Sequence, residues 1–301
     1  MSRIRDALRR AEQEKGRVPP APPGAVETPT APEFSAEPAR PTPSGISAAI
    51  AAASAATVSV PPVAPRPGPQ PSLAGLLESC RRPLWLGDAA QLLIPGAPGN
   101  STAVEQLRSL RSQLCEMRAR RPLKIVMITS PLAAEGKTFL TANLAHAFAR
   151  QHDQHILLVD GNLRHSGLHQ VLGAPAGPGL NEFLRGTATE EQILQRGPQE
   201  GLYFIPAGNA APPAGDLSSG GRVKKLLERI APLFDWILVD TPPAAAGADA
   251  RLFASYCDGI LLVIRSGATP REAAQSAVRE FPKERLLGVV LNHAEIALPG
   301  A

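Results

Sequence analysis

The groups best suited to chemistry in this sequence are one lysine, one hydroxyl and two carboxylates. Lys137 and Thr138 close the run Ser130-Pro-Leu-Ala-Ala-Glu-Gly-Lys-Thr138. Asp160 ends His155-Ile-Leu-Leu-Val-Asp160, and Asp240 ends Trp236-Ile-Leu-Val-Asp240. Before the first run lies apolar Lys124-Ile-Val-Met-Ile-Thr129, which reads as a buried parallel strand. After it, Phe139 to Arg150 reads as a helix with Leu140, Leu144 and Phe148 on one face. Strand, tight loop, Gly-Lys-Thr and helix make the phosphate-binding arrangement of a P-loop. Its amides and the helix N-terminus direct donors and partial positive charge at an anion. Lys137 would then reach the β- and γ-phosphates, and the Thr138 hydroxyl would ligate Mg²⁺.

The pattern is imperfect. Its usual first glycine is Pro131 here, so only Gly136 remains, and Ala133 and Ala134 are expected in turn conformations often given to glycine. Gly-Lys-Thr alone also fits a βα corner with an incidental lysine. The carboxylates sharpen the reading. In an open parallel sheet, ligands lie beyond the carboxyl ends of the strands. Asp160, followed by Gly161-Asn162-Leu163-Arg164, is expected beside the phosphates, to accept a proton or to hold Mg²⁺ through water. Arg164 is expected to pair with phosphate; the plain alternative for Asp160 is a solvated strand-end turn. Asp240, followed by Thr241-Pro242-Pro243, reads as a Walker B carboxylate ordering the Mg²⁺ shell, with the prolines setting a rigid turn. Asn292, at the end of Leu286-Leu-Gly-Val-Val-Leu291, could bond a base edge or simply form a turn.

The elements that must hold these residues alternate. A helix is expected over Ser101 to Met117, capped by Ser101 or Thr102 with Glu105 at capping-box spacing. Leu107, Leu110 and Leu114 form its apolar stripe; Glu105, Arg108 and Arg111 share a flank, which by itself reads as a solvated charged face. Short helices follow at Gly179 to Arg185 and Thr189 to Leu194, then a third strand at Leu202 to Ile205. Pro212, Pro213 and Gly215 mark a loop, and Val223 to Phe234 a helix. A helix at Asp249 to Tyr256, a strand at Gly259 to Ile264 and a helix capped by Thr269 with Pro270 at its first position lead to the last strand. Fold class follows: α/β, a P-loop NTPase three-layer sandwich with a mostly parallel sheet and helices on both faces.

Ahead of it lies a different composition. Of 301 residues 32 are Pro, most of them before residue 100. Residues 1–16 suggest a short amphipathic helix, either docking a partner, frayed, or weakly membrane-binding. Residues 17–100 read as a Pro/Ala-rich disordered linker whose last part, 73–100, is a strap on the following domain. Residues 101–295 make the P-loop domain and 296–301 a short tail. A net charge of +4 without basic runs does not suggest nucleic acid. Cys80, Cys115 and Cys257 form no disulfide or zinc pattern, which favours the cytoplasm. Ile46 to Val60 is too short and weakly apolar to span a bilayer, so membrane contact is expected only through a partner.

Taken together, the three strand-end motifs resemble the bacterial tyrosine kinase (BY-kinase) family of capsule and exopolysaccharide synthesis, over about residues 101–293. Glu105-Gln-Leu-Arg108-Ser-Leu-Arg111 resembles the family's oligomerisation helix, and Met1 to Glu12 the start of its stand-alone members. The resemblance implies an ATP-dependent protein-tyrosine kinase regulating polysaccharide polymerisation and export. It implies that Lys137 and Thr138 hold ATP; with the residue reading above, ATP contacts are expected from Ala133, Ala134, Glu135, Gly136, Lys137, Thr138, Phe139, Arg164 and Asn292. Mg²⁺ would be held by Thr138, Asp160 and Asp240, with Asp160 as base toward a tyrosine hydroxyl. Glu105, Arg108 and Arg111 would contact a neighbouring subunit in a homo-oligomer, and a transmembrane chain-length determinant would be the activating partner. The chain departs from the family at Asn162, where a second Asp is usual, and at Ala133-Ala134. Its tyrosines, Tyr203 and Tyr256, lie in expected elements and not in a tail cluster, so tail autophosphorylation is not expected. Two alternatives share the fold: a partition or septum-positioning ATPase, disfavoured by Leu132 where a signature lysine belongs, and a nucleotide-gated, non-catalytic regulator of chain length.

Overall fold

The computed structural model of the protein describes residues 73–86, 92–93, 101–209 and 221–294. The expected N-terminal helix, the linker up to residue 72, the 212–215 loop and the tail lie outside the described residues.

Six runs rich in β-branched and large apolar side chains, with one polar strand of two residues, pair into one seven-stranded sheet. These are β1 (Ile125–Thr129), β2 (Ile156–Asp160), β3 (Gln195–Arg196), β4 (Leu202–Ile205), β5 (Trp236–Asp240), β6 (Gly259–Arg265) and β7 (Leu286–Asn292), in the order β3-β4-β2-β5-β1-β6-β7. All neighbours are parallel except β3, which runs antiparallel to β4. β2 and β5 are buried at every position, as central strands covered on both faces must be.

Side-chain alternation divides the core into two layers. Met127, Leu157, Val159, Ile237 and Val239 point to one side. There they meet Leu226 and Ile230 of one helix (Arg222–Ile230), Phe253 of a second (Ala248–Tyr256) and Ala274 and Ala277 of a third (Arg271–Glu280). Val126, Ile128, Leu158, Trp236 and Leu238 point to the other, against Leu114 of Ser101–Arg120, Leu144 and Phe148 of Lys137–Ala149, and Leu168 of Leu168–Leu172. Phe148 and Trp236 stack with ring centroids 4.6 Å apart, and the Arg118 guanidinium caps Trp236 at 5.0 Å. In chain order the helices are α1 (Leu73–Ser79), α2 (Ser101–Arg120), α3 (Lys137–Ala149), α4 (Leu168–Leu172), α5 (Leu180–Arg185), α6 (Glu190–Ile193), α7 (Arg222–Ile230), α8 (Ala248–Tyr256) and α9 (Arg271–Glu280). Among the described residues no helix is long and apolar enough to cross a membrane.

The segment before α2 is packed into the same body. Leu76 and Cys80 are buried in the core, and the Arg81 carbonyl accepts Arg196 N–H at 2.7 Å. Trp85 is buried edge-on against Phe204, centroids 5.9 Å apart, and Leu93 N–H reaches Asn143 Oδ1 at 2.6 Å.

Several local expectations need correction. Leu202–Ile205 is the fourth strand, not the third, because the two-residue β3 precedes it. β3 exists through pairing with β4 and Arg81, and two residues carry no periodicity to read. α2 starts at Ser101 and runs to Arg120, so Thr102 lies within it, and Glu105 pairs with Arg108 instead of completing a capping box. α3 starts at Lys137, two residues early, since Gly136 with φ 87° already turns the chain into the helix. α7 ends at Ile230 and passes into a 3₁₀ turn over Ala231–Leu233, where Pro232 cannot supply a helical N–H. Thr269 does not cap α9: its Oγ1 accepts Arg265 N–H at 2.9 Å and donates to the Glu135 carboxylate.

Candidate functional site

The sheet register decides which side chains meet. In the β2–β5 ladder Asp160 stands opposite Asp240, and in the β1–β5 ladder Ile128 stands opposite Asp240. The last residues of β2 and β5 therefore end level with the exit of β1, where the chain enters Ser130 to Gly136. Gly161 N–H bonds the Asp240 carbonyl at 2.7 Å and Thr241 N–H the Ile128 carbonyl at 3.1 Å, which pins the three strand ends together.

Lys137 and Thr138 open α3 over these ends. Thr138 Oγ1 donates to Asp240 Oδ2 at 2.7 Å, and Lys137 Nζ lies 3.4 Å from Thr138 Oγ1. Both aspartates are fully buried. Asp160 Oδ1 accepts Asn162 N–H at 3.1 Å and Oδ2 accepts Leu168 N–H at 3.2 Å. Burial and then the neighbouring Asp240 charge push the Asp160 carboxyl up to about 7. Burial pushes Asp240 up to about 6, opposed by the Lys137 charge and the Thr138 hydrogen bond. Asp240 Oδ1 is buried with no hydrogen-bond partner among the described residues. A buried carboxylate oxygen left without a donor suits a cation or its water shell, so the residues present fit Mg²⁺.

The loop offers the complementary charge. No backbone N–H from Ala133 to Phe139 has a hydrogen-bond partner among the described residues, which leaves a run of free donors leading into the helix N-terminus. Ala134 takes a left-handed φ of 61°, as a loop short of glycine requires, whereas Ala133 does not.

Other expected site residues are placed differently. Glu135 is buried, with Oε2 accepting Leu132 N–H at 3.1 Å and Oε1 accepting the Thr269 hydroxyl; burial raises its carboxyl above the usual range. Asn292 turns its amide on the loop: Nδ2 donates to the Glu135 carbonyl at 2.9 Å and Oδ1 accepts His293 N–H at 3.0 Å. Arg164 is held by Asp249 of α8 at 3.2 Å with its side chain 59% exposed. Phe139 lies half-exposed in the first turn of α3. On α2, Glu105 and Arg108 pair with each other in solvent, while Arg111 reaches back to the Ala147 carbonyl of α3 at 2.8 Å. Thr269 is the participant that sequence reasoning misread. Its partner lies 134 residues away, and only the β6–α9 turn brings them together.

Fold and site define a P-loop α/β protein, with a phosphate-binding loop and two acidic strand ends. No protein-family model matches the chain. It is 33% identical over 195 residues to the tyrosine-protein kinase YwqD of Bacillus subtilis, covering 64% of this chain and 82% of that one. It is 30% identical over 209 residues to the succinoglycan biosynthesis transport protein ExoP of Rhizobium meliloti, covering 68% of this chain and 26% of ExoP. The kinase domain of Escherichia coli tyrosine kinase ETK superposes with a TM-score of 0.59 at 29% identity, over 66% of this chain and 80% of that domain. The chain belongs to the bacterial tyrosine-protein kinase family. Of several longer curated relatives it spans only about a quarter of the length.

Proposed function

We propose that this chain is an ATP-dependent protein-tyrosine kinase that regulates the polymerisation and export of capsular or exopolysaccharide. The observation that carries the reading is the in-register pair Asp160 and Asp240, with the Thr138 hydroxyl on one and Lys137 beside it. Family membership and the likeness to YwqD and ETK support tyrosine as acceptor, and the likeness to ExoP supports the polysaccharide context.

The unpaired amides of Ala133 to Phe139 and the Lys137 ammonium receive the triphosphate. Thr138, Asp160 and Asp240 would hold Mg²⁺, which supplies neutralisation of the charge on the transferring phosphate. Asp160 takes the proton of the acceptor hydroxyl. An unperturbed tyrosine has a pKa of about 10, so attack benefits from a carboxylate placed to receive its proton. Most of the rate gain comes from fixed positions and charges, because buried strand ends need no reorganisation during transfer. Exposed Glu105 and Arg108 are available to a neighbouring subunit, and a transmembrane chain-length protein is the activating partner that brings the enzyme to the membrane.

The test is direct. Purified protein, Mg-ATP and the cytoplasmic segment of the partner are mixed, and phosphotyrosine is sought by mass spectrometry. Phosphotyrosine that disappears with Lys137→Met supports the proposal. ATP hydrolysis with no phosphoprotein would make the chain an ATPase, and binding with neither reaction a nucleotide-gated regulator.

A further inference from the structure

The row of amides from Ala133 to Phe139 binds an anion well only if the donors converge before the ligand arrives. The loop's own sequence works against that. Ala134 sits at φ 61°, where a Cβ collides with the backbone, and no glycine precedes Gly136 in the run from Ser130. Left alone, this loop would spend time in other shapes.

Two neighbouring elements oppose that tendency. From the turn before α9, the Thr269 hydroxyl donates to Glu135 Oε1, and it is itself fixed by Arg265 N–H at 2.9 Å. The second Glu135 oxygen closes the loop on itself through Leu132 N–H. From the end of β7, Asn292 Nδ2 donates to the Glu135 carbonyl at 2.9 Å, and Asn292 is fixed in turn by His293 N–H and by the ladder partner Arg265. A Cβ built on Gly136 would lie 2.0 Å from Asn292 Nδ2, so the amide fills the space beside the loop that a side chain there would need. Across a trans peptide the carbonyl of one residue and the N–H of the next point in opposite directions. By holding the Glu135 carbonyl, Asn292 aims the Gly136 N–H away from itself.

We infer that Asn292 and Thr269, acting through Glu135, form a bracket that pre-shapes the phosphate loop, so that they are positioning residues and not nucleotide contacts. The bracket compensates for the strained Ala134. It deepens the kinase reading and rests on it for the identity of the nucleotide.

The experiment measures Mg-ATP affinity by calorimetry, and KM and kcat for phosphotransfer, in Asn292→Ala, Thr269→Val and Thr269→Ser, each with and without Ala134→Gly. Circular dichroism melting checks that every variant is folded. Asn292→Ala and Thr269→Val should each weaken binding about fivefold to tenfold, the size of one lost hydrogen bond. KM for ATP should rise in step, with kcat within about twofold. Thr269→Ser, which keeps the hydroxyl, should bind as the parent does. Ala134→Gly should reduce both penalties to about twofold or less, since glycine occupies the left-handed region without the Cβ clash. Folded variants that bind Mg-ATP like the parent, or penalties that Ala134→Gly leaves intact, overturn the bracket. A parent protein that does not bind Mg-ATP overturns the kinase reading instead. Pyrophosphate, which needs only the loop, then serves as the probe for the same variants: weakened binding relieved by Ala134→Gly upholds the bracket, and unchanged binding overturns it.

Discussion

Asp160 and Asp240 face each other across one rung of the parallel ladder between β2 and β5, both closed off from solvent, and only Asp240 receives a hydroxyl. Two adjacent buried carboxylates resist carrying two charges at once, so in the nucleotide-free protein the pair shares one proton up to about pH 7. A divalent cation reverses that preference.

One consequence is measurable as stability. An isolated Asp titrates near 3.8, and here burial, joined at Asp160 by the Asp240 charge, raises the two groups to about 7 and about 6. Between those limits the folded protein holds protons that the unfolded chain has released. The pair's contribution to stability is therefore complete below about pH 4 and is lost as pH rises toward 7. Asp240→Asn, which keeps an oxygen for the Thr138 hydroxyl and turns its amide to the side where Oδ1 has no partner, should raise the melting temperature of the nucleotide-free protein by about 2–4 °C at pH 8, the shift expected for roughly 1 kcal/mol in a folded domain of about 150–250 residues. At pH 5 the gap between variant and parent should shrink. Calorimetric melts at both pH values check this; an equal gap at both would remove the charge repulsion from the account.

The same protons compete with the metal. Mg-ATP affinity should fall as pH is lowered from 8 to 6, because cation binding requires the carboxylates ionised. With Asp240→Asn that pH dependence should flatten. Titration calorimetry across the range reads both.

Thr138 has two duties, since its hydroxyl satisfies Asp240 Oδ2 and would ligate Mg²⁺. Thr138→Ser should bind Mg-ATP nearly as the parent does. Thr138→Val should lose about tenfold or more in affinity, and about 1–3 kcal/mol in stability from the stranded carboxylate. With EDTA in place of Mg²⁺ the affinities of all three should converge.

Arg164 offers a contrast. Its own side chain is mostly exposed in the pairing with Asp249, and ion pairs with a solvated cation contribute about 0–1 kcal/mol. Arg164→Ala should change ATP affinity by less than about twofold and leave the melting temperature nearly unchanged. A tenfold loss of affinity would return Arg164 to the phosphate role that the sequence suggests.

The segment ahead of α2 should prove structural. Trp85 is buried against Phe204, and a Cβ on Gly197 would lie 2.9 Å from its ring, so the indole fills a fitted space. Trp85→Ala should cost about 3–5 kcal/mol in urea unfolding. Its neighbour Leu84 is 77% exposed, and Leu84→Ala should change stability by less than about 0.5 kcal/mol.

The sequence by itself determined six of the seven strands, the phosphate loop and the two acidic strand ends. Each rests on local physics: a short apolar run bounded by turns, glycine before a lysine at a helix start, and a carboxylate where an apolar run stops. Ala134's left-handed backbone was legible for the same reason, from the want of glycine in a loop that must turn sharply. Only the tertiary structure decided that Asp160 and Asp240 share a rung, since register is set by how whole strands pack and not by either strand's residues. It also decided that Asn292 and Thr269 serve the loop and that Arg164 serves Asp249. A polar side chain bonds whichever partner the fold brings within about 3 Å. For these residues that partner lies 85 to 157 positions away, beyond the reach of any local pattern.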